Sequence, residues 1–258
     1  MQTVLFHETI FGPIHSRRLG SSLGVNLSPR DGKVCSFDCL YCEAGFNAQG
    51  PGTTGLPSRE EVGRLLEEKL LTMKKNGERL DVITFSGNGE PTMHPDFEGI
   101  IDDTIGLRDR YFPDVKISVL SNSTRLGSES VCRALRRVDN NLLKLDSALT
   151  PTIRLLDRPV NPDFTAEKVI EQIARFGEQC VVQTMILRGS HNGQPVDNTT
   201  DEEVDALIDA YRRIRPRQVM LYSIDRRTPE QALQKVGREE LEQIAERIRR
   251  EGIDVSVS

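Results

Sequence analysis

The chain lacks long apolar runs. No segment approaches the roughly 18 consecutive apolar residues needed to span a membrane. The opening "MQTVLFHETIFGPIH" has no basic cluster followed by an apolar core, so it does not read as a secretion signal. Both absences predict a cytoplasmic protein, where thiols stay reduced. An excess of positive charge is also missing: 34 Lys and Arg stand against 39 Asp and Glu, for a net charge of −5. That argues against broad nucleic-acid binding, although a local basic patch remains compatible with it. Linkers and low-complexity segments are absent, so a single domain over residues 1–258 is expected. Cysteine is scarce, with five in the chain, and a chain of this length buries enough surface to need no disulfide staples.

Three of the five cysteines nevertheless crowd into "VCSFDCLYCEAG": Cys35, Cys39 and Cys42. Cys132 lies in a helix-like segment and Cys180 opens an apolar run, and both read as small buried hydrophobes.

From residue 57 onward, helical patterns alternate with short apolar runs. Ser58 and Glu61 form a capping box ahead of Val62, Leu65, Leu66, Leu70 and Met73, which lie on one helical face. Thr165 and Thr200 open two further helices, and Leu241, Ile244 and Ile248 mark a last one. Shorter helical patterns fall near 95–109 and 128–138. The runs between them are "DVITF", "VKISVL", "NLLKLD", "CVVQTMIL", "QVMLYSI" and "IDVSV", with "SSLGVNL" as an earlier strand. Short, β-branched and only partly alternating runs are how parallel strands covered on both faces read. Alternating strands and helices predict an α/β fold with a parallel sheet, and six or seven such units predict a partial TIM-like barrel.

Sites in such barrels collect at the C-terminal ends of the strands. The one long irregular stretch, 28–57, carries the cysteines and follows the first strand, and a loop that long is usually functional. "SGNGEP", "SNST", Asp146 and Ser147, "RGSHNG", and Tyr222, Ser223 and Asp225 follow the next five, on the same rim.

The spacing of the three cysteines is C-x3-C-x2-C. Thiolates are soft ligands that select zinc, Cu(I) or iron–sulfur clusters. A structural zinc site needs a fourth ligand, and only His15 or His94, distant in sequence, could complete one. A 4Fe–4S cluster on three cysteines leaves one iron open to a substrate or cofactor. Coincidence is the third reading.

"CSFDCLYC", with Tyr41 just before its last cysteine, resembles the signature of the radical S-adenosylmethionine (SAM) superfamily. "TFSGNGEPTMHPDF" resembles the family's glycine–glutamate motif after strand two, and "SVLSNST", "LLKLDSA" and "VVQTMILRG" resemble the strands that follow. "FGPIHSRRLGSSLGVNLSP" and "LYSIDRRTPEQAL" are similar to bacterial iron–sulfur proteins grouped with the tRNA wyosine synthases.

The resemblance implies a (β/α)6 partial barrel. It implies that Cys35, Cys39 and Cys42 ligate three irons of one 4Fe–4S cluster and that SAM ligates the fourth. Reduction would cleave SAM to methionine and a 5′-deoxyadenosyl radical, which abstracts hydrogen from a substrate. An electron donor such as flavodoxin or ferredoxin is the implied partner. SAM contacts are expected from Tyr41, Ser86, Gly87, Asn88, Gly89, Glu90, Pro91, Asn122, Asp146, Ser147, Gln183 and Tyr222. Gly87 and Gly89 would let backbone approach the ligand; Glu90 would either accept from the methionine ammonium or brace the loop. Lys144, mid-strand, must be paired or have its pKa lowered; an ion pair in an outward-pointing salt bridge, a SAM carboxylate contact and a Schiff base are its three readings. Arg17 and Arg18 would grip an anion or pair with the acidic surface.

Three functions compete: a radical SAM enzyme acting on an RNA nucleoside or small molecule, an activase placing a glycyl radical on a partner enzyme, and a non-enzymatic iron–sulfur or zinc protein. Literal wyosine synthesis is disfavoured, because Cys132 and Cys180 cannot hold a second cluster. No catalytic residue is assigned.

Overall fold

The structure, a computed structural model, describes residues 4–16 and 20–258. Arg17 and Arg18 lie outside the described residues. Six strands form the parallel core: β2 (Gly20–Val25), β3 (Val82–Phe85), β4 (Lys116–Ser121), β5 (Asn140–Lys144), β6 (Cys180–Met185) and β9 (Gln218–Tyr222). They are hydrogen-bonded in that order, with β1 (Ile10–Ser16) antiparallel beyond β2 and β11 (Val255–Val257) parallel beyond β9. The helices α1 (Arg59–Asn76), α2 (Phe97–Tyr111), α3 (Glu129–Leu135), α4 (Thr150–Leu156), α5 (Ala166–Ala174), α6 (Asp201–Ile214) and α7 (Arg238–Arg249) supply the crossovers. This is the expected partial barrel, open between β1 and β11.

The partial alternation of the strands has a direct cause. Their outer faces carry Leu23, Ile83, Phe85, Ile117, Val119, Leu143, Val182 and Leu221, which pack beneath Val62, Leu66, Phe97, Ile100 and Ile173 of the helices. Their inner faces are mixed. Ser22 Oγ and Thr84 Oγ1 are 2.8 Å apart, and Asn140 Nδ2 donates to Ser118 Oγ at 2.9 Å. The main apolar core therefore lies between sheet and helices, and the barrel interior keeps hydrogen-bonding capacity.

The caps work as expected. Ser58 Oγ accepts from Glu61 N, Thr165 Oγ1 from Lys168 N and Thr200 Oγ1 from Glu203 N. Gly77 closes α1 in the left-handed conformation. Cys132 and Cys180 are buried, with thiols donating to Leu126 O and Gly177 O.

Three expectations need correction. "CVVQTMIL" is not one strand: β6 ends at Met185, and β7 (Leu187–His191) begins a separate antiparallel sheet with β8 (Gln194–Asp197) and β10 (Gln234–Lys235). The break is held by Asn198, whose Nδ2 donates to Asp146 O and Met185 O while its Oδ1 accepts from Leu187 N. "RGSHNG" is therefore a hairpin and not a rim loop. The two short helices run over Phe97–Tyr111 and Glu129–Leu135, not 95–109 and 128–138.

Glycine substitutions separate packing from propensity. Gly106, in the middle of α2, has nothing within 4 Å of an added Cβ. Gly106→Ala should stabilise the protein by roughly 0.5–1 kcal/mol. At Gly89, φ is +155° and an added Cβ would lie 1.9 Å from Val34 O. Gly89→Ala should cost about 3 kcal/mol or more. Urea unfolding of both variants checks the pair of signs.

Candidate functional site

The cysteine loop is built from backbone pairings on two sides. On one side, Val34 N donates to Asn88 O at 3.1 Å and Glu90 N to Val34 O at 3.0 Å. This bridge requires Gly89. Gly87, with φ +153°, is similarly tight against Asn26 Oδ1. The close approach these glycines permit is thus by the protein's own chain. On the other side, Leu40 N donates to Leu156 O, Asp38 N to Asp157 O and Arg158 O, and Val160 N to Ser36 O, all at 2.9–3.2 Å. Loop residues 36, 38 and 40 run antiparallel to 160, 158 and 156. Arg158 adopts φ +48° to present its carbonyl.

Side chains close the loop on itself. The buried Lys33 Nζ donates to Gly45 O at 2.7 Å and lies 3.6 Å from Asp38 Oδ1. Asp38 Oδ1 accepts from Asn47 N at 2.6 Å, and its other oxygen is 3.3 Å from Arg158.

Hydrogen-bond donors meet two of the three sulfurs. Asn122 Nδ2 reaches Cys35 Sγ at 3.5 Å, and Lys144 Nζ reaches Cys39 Sγ at 3.4 Å. Burial, reinforced by the Glu90 carboxylate, pushes the Cys35 thiol up to about 11. Burial also raises Cys39 well above the usual thiol range, against the pull of Lys144. Without metal both therefore stay protonated at neutral pH, and metal ligation must displace those protons.

Lys144 forms an ion pair, but a buried one with two carboxylates and not the outward-pointing salt bridge of the sequence reading. Its Nζ lies 2.7 Å from both Asp146 Oδ2 and Asp157 Oδ1 and 4.4 Å from the centroid of the Tyr41 ring. The Tyr41 hydroxyl bonds Asp146 and Lys144. Burial lowers the ammonium's affinity for its proton, but the two carboxylates more than offset this and hold Lys144 well above its ordinary value. Burial raises the Asp157 carboxyl, opposed by the same ammonium.

The remaining expected residues divide by environment. Ser86, Gln183 and Tyr222 line a cavity of about 560 Å³ inside the barrel, with Leu120, Leu142, Met185 and Met220. It reaches the cysteine loop at Glu43, and Arg226, Lys235 and Arg238 stand along it. Others turn into protein. Asn88 bonds Phe6 and Pro29. Glu90 accepts from Thr92, Ser121 and Asn122 N, so its side chain braces the loop. Ser147 Oγ donates to Glu203 at 2.6 Å, and Asp146 Oδ1 accepts from Met185 N at 2.9 Å. Pro91 is buried at the start of a short turn.

His94 is not positioned as a zinc ligand, because Nε2 meets Pro57 O and Nδ1 accepts from Asp96 N. Among the described residues, no three His, Cys, Asp or Glu side chains converge tightly enough to hold a single metal ion. Three soft donors, two of them hydrogen-bonded at sulfur, fit a multi-iron cluster better than mononuclear zinc.

Asp157 and the 156–160 strip were missed from sequence. "LLDRPV" carries no periodic signal, and its role is visible only through its pairing with a loop more than a hundred residues away.

Lys144→Met should leave Asp146 and Asp157 buried together without a cation, costing about 3–5 kcal/mol. Adding Asp157→Asn should recover part of that loss in urea unfolding, since it removes one of the stranded carboxylates.

The chain is similar to several known proteins. A protein of Brachyspira hyodysenteriae named GTPase Obg is 28% identical over 241 residues, 91% of this chain and 32% of that protein. A UPF0026 protein of Methanocaldococcus jannaschii is 32% identical over 182 residues, 69% of this chain and 53% of its own length. The chain thus spans about a third to about half of these curated relatives. Among solved structures, a radical SAM methyltransferase from Sphaerobacter thermophilus superposes with a TM-score of 0.66 at 14% identity, covering 92% of this chain and 65% of that one. Streptococcus suis SuiB bound to S-adenosylmethionine gives 0.64 at 15%, covering 91% and 50%. TYW1 with a lysine–pyruvate adduct gives 0.62 at 12%, covering 90% and 75%. At these identities the likeness is one of fold. The sequence model of the Radical SAM superfamily matches residues 31–192, from just before the cysteines to the β7–β8 hairpin. With that match over more than half of its length, the chain belongs to the radical SAM superfamily.

Proposed function

We propose that this chain is a radical SAM enzyme that binds one 4Fe–4S cluster through Cys35, Cys39 and Cys42 and uses SAM to abstract hydrogen from a small polar substrate. The observation that carries the reading is the loop itself: three thiols in one loop, pinned by backbone on both sides, which the barrel cavity reaches at Glu43. When bound, the cluster supplies the electron that cleaves SAM to methionine and a 5′-deoxyadenosyl radical.

The chain's own residues have distinct tasks in this reading. Asn122 and Lys144 donate toward two ligating sulfurs and favour their thiolate forms. Ser86, Gln183 and Tyr222 offer polar groups in the cavity for the methionine and ribose of SAM. Tyr41 keeps Lys144 in place beneath the loop. Leu120, Leu142, Met185 and Met220 give the cavity an apolar wall. At the mouth, Arg226 pairs with Glu43 at 2.6 Å and Lys235 with Asp225 at 3.2 Å. A rim of paired charges above a mixed interior suits a nucleoside or a similarly polar metabolite.

Anaerobic reconstitution with iron and sulfide should give about four irons per chain. Dithionite and SAM should then yield 5′-deoxyadenosine, and Cys39→Ala should remove both the iron and the product. Iron-loaded wild-type protein that forms no 5′-deoxyadenosine would contradict the proposal.

A further inference from the structure

We infer that the surface formed by Arg154, Arg158, Pro159, Val160 and Pro162 is the docking site of an acidic one-electron carrier protein, through which the cysteine loop receives its electron. This rests on the function proposed above. These residues line a depression of about 470 Å³ together with Asp38, Asn47 and Asn161.

Four observations converge on it. Val160 is the most exposed large apolar side chain among the described residues, at 64%, and two prolines flank it. Its backbone N donates to Ser36 O at 2.9 Å, one residue from Cys35. One hydrogen bond therefore links the surface to the chain that holds the thiols. The charge of the spot is basic although the chain as a whole is acidic. Arg154 is held by Pro162 O and Phe164 O, and among the described residues no carboxylate pairs with it. Arg158 lies 5.2 Å from the centroid of the Phe46 ring and shares Asp38, which Lys33 and Asn47 already engage. Finally, the depression and the barrel cavity have no lining residue in common, so the two are separate features of the surface.

A carrier with an acidic face around its redox centre complements this spot, and such complementarity acts mainly on the rate of encounter. The step is a single electron transfer. A flavin hydroquinone is oxidised to its semiquinone, releasing a proton to solvent where its protonation state requires one, and the oxidised cluster gains one electron.

The test compares two reductants on reconstituted protein by stopped-flow bleaching of the cluster's visible absorbance. The probes are an acidic flavodoxin reduced to its hydroquinone, and dithionite. Wild-type reduction by flavodoxin should slow at least roughly tenfold from low to high salt. Val160→Glu and Arg154→Glu should each slow it about tenfold at low salt. Both variants should keep the wild-type rate with dithionite. Labelled flavodoxin should also bind both variants more weakly. Variants reduced by flavodoxin at the wild-type rate, or slowed equally with both reductants, would overturn the inference. If the two-reductant contrast holds but no 5′-deoxyadenosine forms, the docking surface stands and the proposed reaction fails.

Discussion

The site depends on one constraint: a loop of about thirty residues, whose regular structure is one short 3-10 turn at Asn47–Gln49, must hold three thiols in place. Backbone pairing solves this. Val34 is bridged to the turn after β3, while residues 36, 38 and 40 run beside 160, 158 and 156. Each thiol therefore sits within two residues of a backbone anchor or of the turn bonds Cys42 N to Cys39 O and Gly45 N to Cys42 O. A loop tied only by side chains would pay the conformational entropy of every unanchored residue.

The second layer of the site is electrostatic. Lys144, Asp146 and Asp157 place one ammonium between two carboxylates in the interior, with Tyr41 capping the group. Such an arrangement is a weak source of stability, because the desolvation of each charge opposes the attraction. Its clearer consequence is positional: it fixes a donor 3.4 Å from Cys39 Sγ and ties β5 to the strip after α4. Asn122 plays the matching part at Cys35, and Glu90 holds the Asn122 backbone at 2.6 Å. The glycine–glutamate turn is thereby connected to the sulfur it supports.

Much of this was legible in the sequence, for physical reasons. Helix caps, apolar faces and β-branched runs are local signals, and they yielded the sheet and most of the helices. The cysteine spacing and Tyr41 pointed to the loop, and Ser86 and Tyr222, read as rim residues, line the barrel cavity together with Gln183 from inside β6. What escaped was long-range. Gly87 and Gly89 could be read as freedom of the backbone, but not as space already filled by Asn26 and Val34. Ser147 and Asn88 were read as contacts for a ligand, and their hydrogen bonds to Glu203 and Phe6 could not be read from sequence. The kink after Met185 depends on Asn198, which carries no sign of that role in a sequence window. The strip at 156–160 pairs through backbone atoms, which sequence pattern does not encode.

The cluster proposed for this loop has one iron left open to the cofactor. Electron paramagnetic resonance of the dithionite-reduced protein, recorded before and after adding SAM, addresses it without any substrate. A reduced 4Fe–4S signal whose g-values and shape change on SAM addition is the predicted result. A signal that SAM leaves unaltered, in protein loaded with iron and sulfide, would contradict it.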